Sequence, residues 1–226
     1  MAVDLNNPSQ RTPCMLVLDA SGSMSSLESG GKTRIQLLND GLRAFHDALH
    51  QDPMALARVQ IAAVNAGGVM GSPKLFLEWT DASEFAPFEM TAASDTPLGE
   101  AILVGLSAID AQKTALRQNG LSYTRPWVMV LTDGEPTDHV GAWLKACEQM
   151  RSAQAAGKIE VFPIGIGQAN LSRLGELSSR PPLSMSAVRF REFFVWLSSS
   201  LGQVARSVPG AQINLPSTDP WASVRL

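Results

Sequence analysis

Residues 15–26, MLVLDASGSMSS, run four apolar side chains into one aspartate and then place three serines within the next six positions. A continuous apolar run of this length predicts a strand covered on both faces. Its closing acid predicts that the carboxyl end of the strand opens on a polar site. Asp19, Ser21, Ser23 and Ser25 step by two and offer only oxygen. That donor set suits a hard cation, a phosphate or a nucleophile, and the rest of the chain must choose among them.

The bulk properties narrow the choice. A chain of 226 residues that is 45% hydrophobic and 17% charged describes a globular protein long enough to bury both faces of a sheet. No window holds the roughly 18 apolar residues of a spanning helix. The start, MAVDLNNPSQRTP, has no basic segment followed by an apolar core, so no export signal and no membrane partner are expected. Two cysteines, Cys14 and Cys147, are too few for a disulfide framework and read as small core residues of a cytoplasmic protein. A net charge of −3 without a basic stripe argues against nucleic acid as a partner.

Working outward, a Gly/Ser loop to Gly31 leads into a helix from about Lys32 to Gln51. Its Ile35, Leu38, Leu42, Phe45 and Leu49 step by three and four, and Asp52-Pro53 ends it. Strands are predicted at Val59–Asn65 and Lys74–Trp79, joined as a hairpin by NAGGVMGSP. Thr96-Pro97 reads as a cap and first-turn pair for a helix that carries Ile102, Leu106 and Ile109 on one face. Val128–Leu131 repeats the opening pattern and ends on Thr132 and Asp133. A helix closing on Gly157 follows, then the strand IEVFPIGIG, which Pro163 places at a sheet edge or bulge. A short helix near Leu171–Leu177 precedes a last helix, FREFFVWLSSSLGQVARS, with Phe193, Leu197, Leu201 and Val204 on one side.

Strands alternating with helices predict an α/β fold: a Rossmann-like, doubly wound, mostly parallel sheet with one antiparallel edge strand and helices on both faces. One domain is expected over residues 13–207. An N-terminal arm (1–12) precedes it, and an extended tail (208–226), pinned by Ile213, Leu215 and Trp221, follows.

Ligands of such sheets gather at the carboxyl ends of strands, where the winding reverses. Bringing the ends at Asp19 and Asp133 together would give two carboxylates with the hydroxyls of Ser21 and Ser23, enough oxygen for a magnesium ion that keeps some water. His and Cys are missing from these loops, which disfavours soft metals.

DASGS (19–23), a T-P-L-G loop (96–99) and LTDGEPTD (131–138) together resemble the von Willebrand factor A domain and its metal-ion-dependent adhesion site. Within that family the chain is most similar to the bacterial TerY-like proteins of tellurite resistance. LDASGSM, FPIGIG, FREFFVWLSSSL and INLPSTDPWA carry this likeness, which spans about residues 12–222. The resemblance implies Asp19, Ser21, Ser23, Thr96 and Asp133 as ligands of Mg2+, with Mn2+ an alternative. It also implies a partner protein that completes the coordination with an acidic side chain. TerY-like proteins act in cytoplasmic stress systems beside a kinase and a phosphatase and are not known as catalysts. Two departures stand out: AASDT puts Asp95 before Thr96 where relatives carry glycines, and AAVNAGG replaces the usual apolar–Phe end of the second strand.

Ser25, Asp95, Glu135 and Asp138 are candidates for a rim that a partner would meet, or are solvated turn residues. His46 and His50, four apart on the first helix, lack a third ligand and read as a helix face; His139 reads as a solvated helix start, and Trp143 and Trp196 as packing residues. The expected function is a non-catalytic, metal-dependent protein-interaction module. One alternative is a structural subunit with a metal-stabilised loop face. Another is a magnesium-dependent phosphohydrolase of the haloacid-dehalogenase type with Asp19 as nucleophile. That chemistry needs a general acid two residues later, where Ser21 stands.

Overall fold

The computed structural model describes residues 9–207 and 213–222. The first eight residues of the predicted arm, residues 208–212 and residues 223–226 of the predicted tail lie outside the described part.

Among the described residues six strands, β1 (Thr12–Ala20), β2 (Val59–Gly67), β3 (Leu75–Asp81), β4 (Trp127–Thr132), β5 (Glu160–Ile166) and β6 (Leu183–Met185), form one sheet in the order β3-β2-β1-β4-β5-β6. Every pairing is parallel except β2–β3, the antiparallel hairpin expected from NAGGVMGSP. The chain winds from β1 to β2 and β3 on one side, then crosses to β4, β5 and β6 on the other. The reversal point therefore lies between β1 and β4, which run side by side with Leu18 opposite Leu131.

The opening apolar run is buried throughout because alternate residues serve two cores. Leu16, Leu18 and Ala20 face helices α1 (Arg34–His50) and α6 (Phe190–Arg206), whereas Met15 and Val17 face α3 (Leu98–Gln118) and α4 (Val140–Ala155); the expected short helix, α5 (Leu171–Gly175), follows β5. A strand sandwiched this way has no polar face, so its sequence loses the alternation of a half-exposed strand. Helix α1 starts on a capping box: Thr33 Oγ1 accepts from Gln36 N, and Gln36 Oε1 accepts from Thr33 N at 2.9 Å. Its predicted stripe of Ile35, Leu38, Leu42, Phe45 and Leu49 is buried to the last residue. Cys14 and Cys147 are unbridged and buried, and desolvation lifts the Cys147 thiol to about 11.

One expectation is extended and two are corrected. Asp52-Pro53 ends α1 but also opens α2 (Pro53–Arg58), with Asp52 Oδ1 accepting from Met54 N and Ala55 N at 3.0 and 3.2 Å. β5 is not the edge strand. β6, too short to show in the sequence, covers it, but pairs only from Ile164 onward, so Pro163 stands just before the ladder where its missing N–H costs nothing. Helix α3 begins at Leu98 without a side-chain cap from its own preceding residues, so Thr96 is not its cap.

The segment 213–222 lies against α6. The Trp221 ring packs 5.0 Å from both Phe193 and Trp196, and Trp196 Nε1 donates to the Pro216 carbonyl at 2.9 Å. Ile213 and Leu215 join the same core. Among the described residues no helix is long and apolar enough to cross a membrane.

Candidate metal centre

The parallel β1–β4 register sets the carboxyl ends of these strands next to each other, and the two loops that leave them meet. Thr132, the last residue of β4, donates its hydroxyl to Asp19 Oδ2 at 2.5 Å. Ser21 N donates to Asp19 Oδ1 at 2.8 Å, which folds the loop back over its own acid. Ser23 Oγ donates to Asp133 Oδ1 at 2.5 Å across 110 positions of chain. With that proton committed, Ser21 Oγ is the donor to Ser23 Oγ, 3.0 Å away. Asp19, Ser21, Ser23 and Asp133 thus form one hydrogen-bonded arc.

The third loop arrives from the amino end of α3. Thr96 N donates to Thr137 Oγ1 and Thr137 N to the Thr96 carbonyl, each at 2.9 Å, which ties this loop to the one leaving β4. A Cβ placed on Gly134 would lie 3.7 Å from Thr96 Oγ1 and 3.9 Å from Ser23 Oγ, so both hydroxyls face the same point of backbone. The structure therefore brings together all five predicted ligand residues. Four of them, Asp19, Ser21, Thr96 and Asp133, are buried, and Ser23 forms the exposed lip.

The donor set fits a hard divalent ion. It is all oxygen, it holds two carboxylates, and its three hydroxyls can turn their lone pairs inward. In the chain alone the two acids are mutually unfavourable. Burial pushes the Asp19 carboxyl above its ordinary value near 3.8, and the Asp133 charge adds to the rise, while hydrogen bonds from Ser21 and Thr132 pull it back. A raised folded-state pKa means that ionised Asp19 weakens the ion-free fold at neutral pH. That penalty fades as pH falls through the raised value toward 3.8, where the unfolded chain also takes up the proton. In chelator, the wild type is therefore expected to gain stability relative to Asp19→Asn as pH falls from 7 toward 4. Thermal unfolding of both proteins across this range checks it, and a wild type that loses stability relative to the variant on acidification would refute the assignment.

Residues that the sequence did not mark also take part. Besides Thr132, Arg34 reaches the site from the first turn of α1, its Nη1 donating to Asp133 Oδ2 at 2.7 Å and its Nε to Glu28 Oε1 at 2.7 Å. Thr132 carried a signal, as the residue before the second acid. Arg34 carried none, standing 99 positions from Asp133.

The predicted rim divides. Ser25 is exposed and donates to the Gly22 carbonyl. Asp95 is exposed, while its backbone carbonyl packs on Gly67. Glu135 is exposed and accepts from Asn170 Nδ2 at 2.6 Å. Asp138 is not a free rim acid: its Oδ2 accepts from Gly99 N at 2.7 Å and its Oδ1 from Glu100 N at 2.8 Å. It supplies from another loop the cap that α3 lacks, at the positive end of the helix dipole. Asp138→Ala is expected to cost about 1 kcal/mol in denaturant unfolding, the loss of a helix cap, and to weaken ion binding in a Mn2+ titration less than loss of a ligand residue does, because it acts only through the loop that carries Thr96. His46 and His50 stack on one another on the outer face of α1, and Trp143 and Trp196 are buried as expected.

Comparison with known proteins adds a family. The model of the von Willebrand factor type A domain matches residues 83–199. Among solved structures, the SpRpn10 VWA domain superposes with a TM-score of 0.56 at 15% identity, over 85% of this chain and 97% of that one. The pilus adhesin SpaC from Lactobacillus rhamnosus GG gives 0.63 at 14% identity, over 86% of this chain and 31% of that one. Proximal thread matrix protein 1 from the mussel byssus gives 0.56 at 15% identity, over 85% and 48%. The chain thus spans about half of the byssus protein and less than a third of the adhesin, and at these identities the likeness is one of fold. No curated protein matches it in sequence.

Proposed function

The chain belongs to the von Willebrand factor type A domain family, a family of protein-interaction modules, and from that premise we propose that it captures a partner protein through a divalent cation. The observation that carries this reading is the arc Asp19–Ser21–Ser23–Asp133, closed between loops 110 residues apart, with Thr96 facing it. Asp19, Ser21, Ser23, Thr96 and Asp133 would hold Mg2+ or Mn2+. A divalent ion held by these residues would supply an electrophilic position for a carboxylate from the partner. Two acids leave a dication roughly neutralised, and hydroxyls add no charge, so a third carboxylate is not repelled by an excess of anions.

The chain's residues do the rest. Thr132 and the Ser21 amide fix the orientation of Asp19, and Ser23 fixes Asp133. The Asp138 cap and the Thr96–Thr137 pair hold the third loop in reach. The reading is non-catalytic, since Ser21 stands where phosphoryl chemistry on Asp19 needs a second acid. The likeness to TerY-like proteins supports a cytoplasmic stress-response setting in which the partner is a kinase or phosphatase. The test is capture of partners from native lysate by the wild-type chain with Mg2+ and with chelator. Capture of the same proteins in both conditions would remove the proposal.

Apolar side chains exposed on loops at this end of the sheet, Leu27, Val69 and Met70, favour a second reading in which the face is a permanent assembly contact. A particle whose mass is larger than the monomer and unchanged in chelator would favour assembly over metal-gated capture.

A further inference from the structure

The seat of Asp133 is already taken by a cation of the protein's own. One oxygen of this carboxylate receives Ser23, and the other receives Arg34 Nη1 at 2.7 Å. The Asp133 side chain is fully buried, and that of Arg34 is 19% exposed, so the pair is poorly screened by water. Burial opposes the Arg34 charge, but Glu28 and Asp133 outweigh it and hold the guanidinium firmly protonated. An arginine is out of place at the first position of α1, where the helix dipole favours anions. The capping box of Thr33 and Gln36 already satisfies the helix end without it. What Arg34 does there is neutralise one of two buried acids.

We propose that Arg34 is a built-in counter-ion that competes with the divalent cation for Asp133, so that loading the site requires the guanidinium to give up that carboxylate. The proposal rests on the metal-site reading above and extends it to the control of occupancy. The geometry gives Arg34 somewhere to go. Its Nε stays anchored on Glu28 Oε1 at 2.7 Å, and the pair borders a groove of about 520 Å³ whose wall also includes Gly167, Ser184, Arg189 and Asp219. Because Glu28 and Asp133 hold different nitrogens of one planar fork, Arg34 can release the second while keeping the first, which a lysine cannot do. Three states follow from the charges alone. With Arg34 on Asp133 the ion-free site keeps one net negative charge from its two acids. With the ion bound and Arg34 turned to Glu28, Asp133 is free to serve as a ligand. With neither, two buried carboxylates face each other unpaired, the least stable arrangement.

The test uses the full chain and Mn2+ alone as probe, with affinity read by titration calorimetry and stability by thermal unfolding. Arg34→Gln is expected to bind Mn2+ at least about tenfold more tightly than wild type, because no resident charge has to be displaced. It is also expected to melt below wild type without ion and to gain more from added Mn2+ than wild type does. Arg34→Lys keeps the charge but loses the fork, so an affinity between the two reports competition for the carboxylate and not net charge. If Arg34→Gln fails to fold, Arg34→Lys decides alone: tighter binding than wild type supports the proposal, and equal or weaker binding overturns it. An unchanged or weakened affinity in a folded Arg34→Gln overturns it likewise. Folded wild type and variant that both fail to bind Mn2+ would instead overturn the metal-site reading, and this inference with it. Binding by the variant alone would show that the guanidinium occupies the site outright.

Discussion

Asp19→Ala is expected to lower divalent-ion affinity by at least about a hundredfold and to abolish ion-dependent partner capture, while the sheet still folds. The expectation follows from what Asp19 touches. It is 1% exposed, it receives Thr132 and the Ser21 amide, and it is one of only two carboxylates on the arc. Its removal halves the charge offered to a dication and frees the loop from its anchor. The cost to the fold is smaller than the number of hydrogen bonds suggests. Two donors lose their acceptor, at about 1–3 kcal/mol each, but the buried charge and its repulsion with Asp133 also vanish. Against a typical total of about 5–15 kcal/mol, the variant should remain folded. Calorimetric titration with Mn2+ and circular dichroism read the two halves separately. A variant that folds and binds ion as tightly as wild type would remove Asp19 from the site.

Gly67→Ala should damage stability and site together, through the backbone. Gly67 ends β2 at φ +82, and a Cβ there would stand 2.2 Å from the Asp95 carbonyl and 3.2 Å from Ser21 Cα. The left-handed conformation costs an L-residue about 1–2 kcal/mol, and forcing an atom into a filled space costs about 1–3 kcal/mol more. A total near 3 kcal/mol is expected in denaturant unfolding. The atom that must yield belongs to the backbone just before Thr96, so ion affinity should fall as well. Gly31→Ala is the control: φ is +78, but nothing lies within 4 Å of the new Cβ, so only the backbone cost applies and ion affinity should hold. Equal effects from the two variants would mean that the Asp95–Thr96 loop is not braced on β2.

Much of this was legible in the residues. The continuous run before Asp19 announced a doubly covered strand because every position of a central parallel strand meets a core. The stripe of α1 was legible for the related reason that a helix on a sheet buries one side. Oxygen donors at two strand ends marked the candidate site because strand ends of a doubly wound sheet converge. β6, three residues long, was not legible, since its pairing and not its composition makes it a strand. Pro163 pointed to an edge, yet it stands inside an interior strand, paired with Val130 of β4 and open only on the side that β6 reaches one residue later.

The sequence by itself determined the periodicities, and through them the alternation of strands and helices, the burial of both sheet faces and the five oxygen-bearing residues at the site. Those are properties of neighbours along the chain, set by pleat and helical repeat. Only the tertiary structure decided what each polar group does once there. It turned Asp138 from a rim acid into the cap of α3, gave Thr132 to Asp19, and set Arg34 on Asp133. Hydrogen bonds and ion pairs act over a few ångströms of space, and residues 39 or 99 positions apart become partners only after the sheet has brought their loops together.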